Sequence, residues 1–242
     1  MAAYEYTIHE AAERADVATL RRLLEDGDSP DALSTDINPG QRKTALHIVC
    51  RPSTTNINEG DRVACFKLLR DAGANLEART AGNPQGSTVL HYAANGGCFE
   101  ILSLLIEAGV NVNVTNTSGY TPLHWAALGD EYIELVELLL KAGAAVNVRA
   151  KEVLSSASGG GTPFDVALKN INCRVWPLFL RAGAEIPPGH NHPYLVRVRR
   201  AGGFKKYEQA HLARLTAILE TPLLPPELVR KILEFWLHAG YY

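Results

Sequence analysis

No apolar run in these 242 residues approaches the roughly 18 that mark a membrane-spanning helix, so the chain reads as one without a span. The N-terminus lacks the continuous apolar stretch of a secretory signal, because Glu5, Glu10, Glu13 and Asp16 interrupt it. Cysteine is scarce and scattered: Cys50, Cys65, Cys98 and Cys173 include no pair at metal-ligand or redox spacing. They read as reduced thiols of an intracellular protein, cytoplasmic and/or nuclear. An excess of one charge sign is also missing. A net charge of −2 exerts no general pull toward nucleic acid or membrane. What is present, 46% hydrophobic and 21% charged residues, suits a chain that buries a core and excludes a disordered or collagen-like one. At roughly 150 residues per domain, the length predicts one large domain or two small ones.

Internal repetition is the strongest feature. Thr121-Pro122-Leu123-His124-Trp125-Ala126-Ala127 recurs as Thr88-Val89-Leu90-His91-Tyr92-Ala93-Ala94, with the two histidines 33 residues apart. Weaker copies are Thr44-Ala45-Leu46-His47, Thr162-Pro163-Phe164-Asp165 and Ile8-His9-Glu10-Ala11-Ala12. An apolar helix ending near Ala-Gly-Ala follows each copy, at Leu68 to Ala74, Leu104 to Val110, Leu138 to Ala144, Leu178 to Ala184 and more loosely Leu23 to Asp28. The stretches TPLHWAA and LVELLLKAGAAVNV resemble the ankyrin repeat. The resemblance implies an all-α ankyrin-repeat solenoid of helix-turn-helix units with hairpin finger loops.

Each residue type has a physical task in that pattern. A threonine before proline suits a helix start, its hydroxyl accepting from a free backbone N–H where Pro122 has no donor to spare. Paired alanines let helices approach closely. The glycines at 27, 73, 109, 143 and 183 fit the left-handed position that ends a helix. Leu135, Val136, Leu138 and Leu139 recur at helical spacing and give the second helix a stripe that one repeat cannot bury alone. The histidines do not read as catalytic or zinc-binding, because equivalent positions of stacked layers line up rather than converge. The resemblance implies that they bond neighbouring backbone and threonine, and Asp165 replaces the imidazole in the fifth copy. His190 and His192 stand in a Pro/Gly loop with no third ligand.

Taking His9, His47, His91, His124 and Asp165 as markers, the spacings are 38, 44, 33 and 41. The second repeat is predicted to carry its extra residues in a polar surface loop within 51–60, and the fourth connection is extended over Lys151 to Gly161. The Gly-rich part of that connection lacks the lysine-threonine ending of a phosphate loop. Insertions in a solenoid gather on one face, often the binding face.

The expected organisation is five repeats over 1–186, at about 5–37, 38–81, 82–115, 116–155 and 156–186. A degenerate sixth, capping repeat follows over 187–220, and the helix over 221–242 either folds back to cap the last repeat or docks a partner. Pro193 to Arg200 and Phe204 to Leu219 are the predicted helices of the sixth repeat. Five bases (Arg197, Arg199, Arg200, Lys205, Lys206) and no acid lie between Pro187 and Tyr207, whereas residues 1–31 hold eight acids against three bases. Such a patch suits an acidic protein or nucleic acid. Here it reads as a solvated cap face. In the tail, Leu223-Leu224-Pro225-Pro226-Glu227-Leu228 followed by an apolar helix resembles the opening of an F-box. It resembles less well the end of a SOCS box. The chain stops at Tyr242, short of a whole F-box, and Thr216 stands four residues after Leu212 where the elongin-binding pattern has cysteine.

No nucleophile-base pair, metal spacing or phosphate loop is present in the sequence, so no enzyme activity, cofactor or metal is assigned. The expected function is a protein-protein interaction scaffold, monomeric, with a protein partner on the concave face. The resemblance places candidate contacts at Lys43, Gln85, Ser87, Asn95, Thr117, Tyr120, Leu128, Lys169 and Asn170. Trp125 is assigned to the core. The alternative is a substrate receptor of a cullin-type ubiquitin ligase, docking a Skp-type or elongin-type adaptor through Leu224, Pro225, Leu228, Ile232 and Trp236. Neither membrane nor nucleic acid is assigned as a partner.

Overall fold

The structure, a computed structural model, describes residues 6–34, 42–51, 57–81, 86–129, 132–151, 160–170, 173–219, 225, 227–229 and 231. They fall into two compact units, Met1–Asn172 and Cys173–Tyr242. The first unit is built from helix pairs: α1 (Ile8–Arg14) with α2 (Val17–Glu25), α3 (Ala45–Val49) with α4 (Glu59–Asp71), α5 (Val89–Gly96) with α6 (Phe99–Glu107), and α7 (Pro122–Ala126) with α8 (Ile133–Lys141). α9 (Pro163–Lys169) packs on α7. First helices touch in the row α1, α3, α5, α7, α9, and second helices in the row α2, α4, α6, α8. This all-α, two-row stack is the ankyrin-type solenoid. Among the described residues no extended sheet forms, and the fingers are pinned by isolated antiparallel bridges, Arg42–Ala81, Arg79–Thr88 and Ala150–Gly161.

Recurring apolar positions explain the second row. Leu20, Phe66, Leu102 and Val136 stand seven residues before the glycine that closes each helix, and all are fully buried. Leu69, Leu105 and Leu139 recur four before the glycine and are equally buried, each worth about 2 kcal/mol on removal from water. Leu138 lies at the edge of this stripe and is only half-buried. The closing glycines take φ of 79° to 99° from Gly27 to Gly183. After α4, Gly73 donates to the Arg70 carbonyl and Ala74 to the Leu69 carbonyl, which satisfies two carbonyls that the helix end leaves free. A side chain with a Cβ resists that backbone, hence glycine.

The helix starts share one device with two chemistries. In α3, α5 and α7 the capping threonine and the residue three later form a threonine-histidine pair. Backbone N–H groups of Thr44, Thr88 and Thr121 donate to Nδ1 of His47, His91 and His124 at 3.3, 3.2 and 3.0 Å. Nδ1 is therefore the acceptor, and the threonine hydroxyls donate to it at 2.8, 3.0 and 2.8 Å. The hydroxyl was expected to accept from the helix. It does so in the reciprocal capping box at all five starts, and at Thr7 and Thr162 the group that returns the bond is a carboxylate, Glu10 or Asp165. The first-repeat partner is thus Glu10, not His9, and the capping threonines at 7, 44, 88, 121 and 162 set spacings of 37, 44, 33 and 41. With Nδ1 occupied, each imidazole carries its proton on Nε2 and donates onward. The acceptors are Ser87 O (3.2 Å), Tyr120 O (2.8 Å) and Gly161 O (3.0 Å), each the residue just before the next threonine. No ring nitrogen is left for a metal.

The insertion in the second repeat lies partly in a helix. Asn58 caps α4 by accepting from Gly60 N–H at 3.1 Å, so Glu59 and Gly60 are its first residues and not loop. α4 runs 13 residues against nine in α6 and α8. Glu59 and Asp61 in its first turn suit the positive end of the helix dipole.

In the second unit a 3-10 turn (Cys173–Val175) leads into α10 (Trp176–Arg181), followed by α11 (Pro193–Arg200) and α12 (Phe204–Leu219). α12 packs on both α10 and α11. Trp176, Phe179, Leu195 and Val198 form the core. His192 Nδ1 accepts from Tyr194 N–H at the start of α11, with its ring 4.7 Å edge-on from Trp176. His190 accepts from His192 N–H. Arg181 and Glu208 tie α10 to α12 at 2.7 Å. Among the described residues, no helix is long and apolar enough to cross a membrane.

Burial holds His47, His91 and His124 well below the ordinary histidine value, at about 4, the backbone carbonyls only partly offsetting it. The unfolded chain takes up these protons near pH 6.5 and the folded chain near 4. Their contribution is therefore complete above pH 6.5 and lost as pH falls from there to about 4, on the order of 3 kcal/mol per imidazole. Urea unfolding across that range should show this slope, and His91→Gln should remove about a third of it. A Cβ on Gly96 would strike the Cys50 carbonyl oxygen of the preceding repeat. Gly96→Ala should cost about 2–3 kcal/mol in the same measurement. Gly60→Ala, which meets only the Asn58 side chain, should stay within about 0.5 kcal/mol of wild type.

Candidate functional site

The capping threonines define a common register for the first-helix row. Four residues after each stand Ala11, Ile48, Tyr92, Trp125 and Val166; seven after stand Arg14, Arg51, Asn95, Leu128 and Lys169. Positions four and seven share one helix face, about one turn apart. The residues just before the threonines are Tyr6, Lys43, Ser87, Tyr120 and Gly161. The position at +7 lies in the last two residues of the first helix or two past its end, and it is the more exposed of the two. Arg14, Arg51, Leu128 and Lys169 are exposed, and Asn95 is half-buried.

Aromatic rings back this column. Tyr92 lies 5.3 Å from the His47 ring and 5.5 Å from Trp125, which in turn sits 5.5 Å from His91. Tyr92 is buried, Trp125 half-buried, and Leu128 is 37% exposed. Lys43 Nζ stands 5.3 Å from the Tyr92 centroid, and the Arg14 guanidinium 4.6 Å from that of Tyr6. Burial, reinforced by the Arg51 guanidinium, holds the Lys43 ammonium below its ordinary value. Burial pushes the Tyr92 phenol up, with Arg51 pulling the other way. One cation, Lys43, thus lies over the Tyr92 ring, and Arg51 stands exposed in the same repeat.

Lys43, Asn95, Leu128 and Lys169 fall in this shared register, and Asn170 lies one residue beyond it, exposed. The Lys169 ammonium donates to the Gly160 carbonyl at 3.4 Å. Thr117 is exposed at a finger turn, next to Gly86 of the preceding finger. Two candidates need correction. Ser87 is fully buried and Tyr120 is 7% exposed, since their carbonyls receive the histidine bonds and Tyr120 packs 5.2 Å edge-on against the His124 ring. They offer a partner little side-chain surface. Gln85, Leu224, Ile232 and Trp236 lie outside the described residues. In the tail Pro225 is exposed, Leu228 is 47% exposed and Val229 is buried. Sequence reasoning did not single out Arg14, placed Arg51 at the start of a loop and assigned Trp125 to the core. Counting seven and four residues from each threonine finds them.

Comparison with known proteins agrees with this architecture. A family model of ankyrin repeats, in three copies, matches residues 55–150. The chain is similar to the nuclear factor NF-kappa-B p105 subunit of Gallus gallus, 31% identical over 240 residues, covering 89% of this chain and 21% of that protein. It is similar to human ankyrin repeat and SOCS box protein 16, 38% identical over 88 residues, covering 36% of this chain and 18% of that protein. It is also similar to a palmitoyltransferase, AKR1, of Kluyveromyces lactis, 31% identical over 131 residues, covering 54% of this chain and 16% of that protein. The chain thus spans about a fifth or less of these relatives, and what it shares with them is the repeat. Stacked helix pairs, threonine-histidine caps and three matched copies together place this chain in the ankyrin-repeat family, whose repeats are a protein-interaction scaffold.

Proposed function

We propose that the protein is a non-enzymatic scaffold that holds a protein partner on the first-helix face, the concave face of the family. The observation that carries this reading is the side-chain arrangement around Tyr92. The backbone bonds and apolar burial of the stack are supplied by the threonine-histidine caps and the second-row leucines. The pairing of half-buried Trp125 with exposed Leu128, flanked by Lys43 and Arg51, is surplus to that need. A rigid stack presents such side chains already ordered, which lowers the entropy cost of binding. Partner identity does not follow from the fold.

A second reading draws on the tail. Exposed Pro225 and Leu228, in a sequence that resembles an F-box opening, suit the docking of a Skp-type or elongin-type adaptor. Similarity to a protein named for ankyrin repeats and a SOCS box gives the same direction. The protein would then be the substrate receptor of a cullin-type ubiquitin ligase.

A photo-crosslinking amino acid placed at Leu128 tests the first reading, with Lys141 on α8 as the comparison site. A partner crosslinked from Leu128 and not from Lys141 is the expected result, and the reverse pattern would overturn it. The second reading predicts that purified adaptors are retained by the whole chain and lost when it ends at Glu220. Equal retention by both would remove it.

A further inference from the structure

The +7 column carries three cations in five repeats, Arg14, Arg51 and Lys169, and no acid. Lys43 adds a fourth cation beside it. This is a local departure from a chain of net charge −2, and a sharper one from its first 31 residues, where acids outnumber bases eight to three. Glu13, one position earlier in the register, is exposed beside Arg14. Arg14, Lys43 and Arg51 form no ion pair among the described residues, where the bridges join Lys67 to Glu100, Arg70 to Asp71, Lys141 to Glu137 and Arg181 to Glu208.

Lys43, with its ammonium 5.3 Å from the Tyr92 centroid, and exposed Arg51 are like charges of the same repeat. A carboxylate set between them would form charge-assisted bonds with both. Toward α7 the character changes: Asn95 is neutral, and Leu128 and Trp125 are apolar. The face is thus cationic over its second repeat and apolar over its fourth.

Resting on the scaffold reading, we infer that this face takes a polypeptide segment that carries carboxylates followed by an apolar side chain. The carboxylates meet Lys43 and Arg51, with Arg14 extending the cationic end. The apolar side chain lies on Trp125 and Leu128. Charge complementarity selects an acidic segment, and the apolar end distinguishes it from a nucleic acid, which would want cations along its whole length.

Panning a random peptide library on the whole chain tests the inference, followed by anisotropy titration of the enriched peptides. Enriched sequences should pair Asp or Glu with an aliphatic or aromatic residue. The double variant Lys43→Glu, Arg51→Glu and the single variant Leu128→Ser should each weaken their binding at least about tenfold. Lys141→Glu on α8 should leave it unchanged. Circular dichroism on each variant separates loss of binding from loss of fold. Trp125→Phe, which keeps an apolar ring, should weaken binding less than Leu128→Ser. Peptides without acid that still need Leu128 would overturn the charge assignment and leave the scaffold reading standing. Peptides indifferent to Leu128, Lys43 and Arg51 would overturn both. Preferential binding of single-stranded oligothymidylate, lost in the charge-reversed variant, or the absence of any enriched peptide would also overturn the inference.

Discussion

The bond from each imidazole Nε2 to the carbonyl just before the next capping threonine is the constraint on which the first unit depends. It is buried at His47 and His91 and part-buried at His124, so it is costly to leave unmade. It also joins positions 29 to 40 residues apart, fixing the distance and rotation between one layer and the next. The same imidazole holds its own helix start through Nδ1. A single side chain therefore satisfies the backbone inside a layer and sets the registry between layers. Paired alanines then allow the first helices to approach, and the second-row leucines fill the remaining space.

This economy explains the division of labour across the surface. Registry and burial rest on threonine, histidine, alanine, leucine and glycine at fixed offsets. The position seven residues after each threonine is left outside that network, and it is there that arginine, asparagine, leucine and lysine alternate. Chemistry on this face can thus differ between repeats with little effect on the stack. The local mixture of cations and apolar groups belongs to this chain, whereas the frame belongs to the family.

Much of the fold was legible because it is written in offsets. Thr88 to His91, Thr121 to His124 and the glycines from Gly27 to Gly183 are spacings that a backbone requires, and the helices at Pro193–Arg200 and Phe204–Leu219 follow the same punctuation. What escaped was decided by chemistry that spacing does not display. Glu10 and His9 are adjacent, and only the direction of the returning bond shows that the carboxylate does the capping. Asn58 turned part of an expected loop into helix by satisfying one N–H. At the site, the residue before the threonine is exposed or hidden according to its own length. Lys43 reaches far enough to lay its ammonium over the Tyr92 ring and stays half-buried, whereas Ser87 is too short to leave the interior and Tyr120 packs on an imidazole. Trp125 was assigned to the core by its column, yet it is only half-buried at the place where Val166 is buried.

The exchange of histidine for a carboxylate at both ends of the series has a further meaning. Glu10 and Asp165 hold their own threonines through oxygen, and an ionised carboxylate has no proton to give to a following layer. The three imidazoles are therefore a directional string with a beginning and a stop. Gene duplication of a middle repeat would copy a group able to join its new neighbour and lengthen the string. A copy of the first or fifth would bring a carboxylate in that place, with no imidazole N–H to hand on.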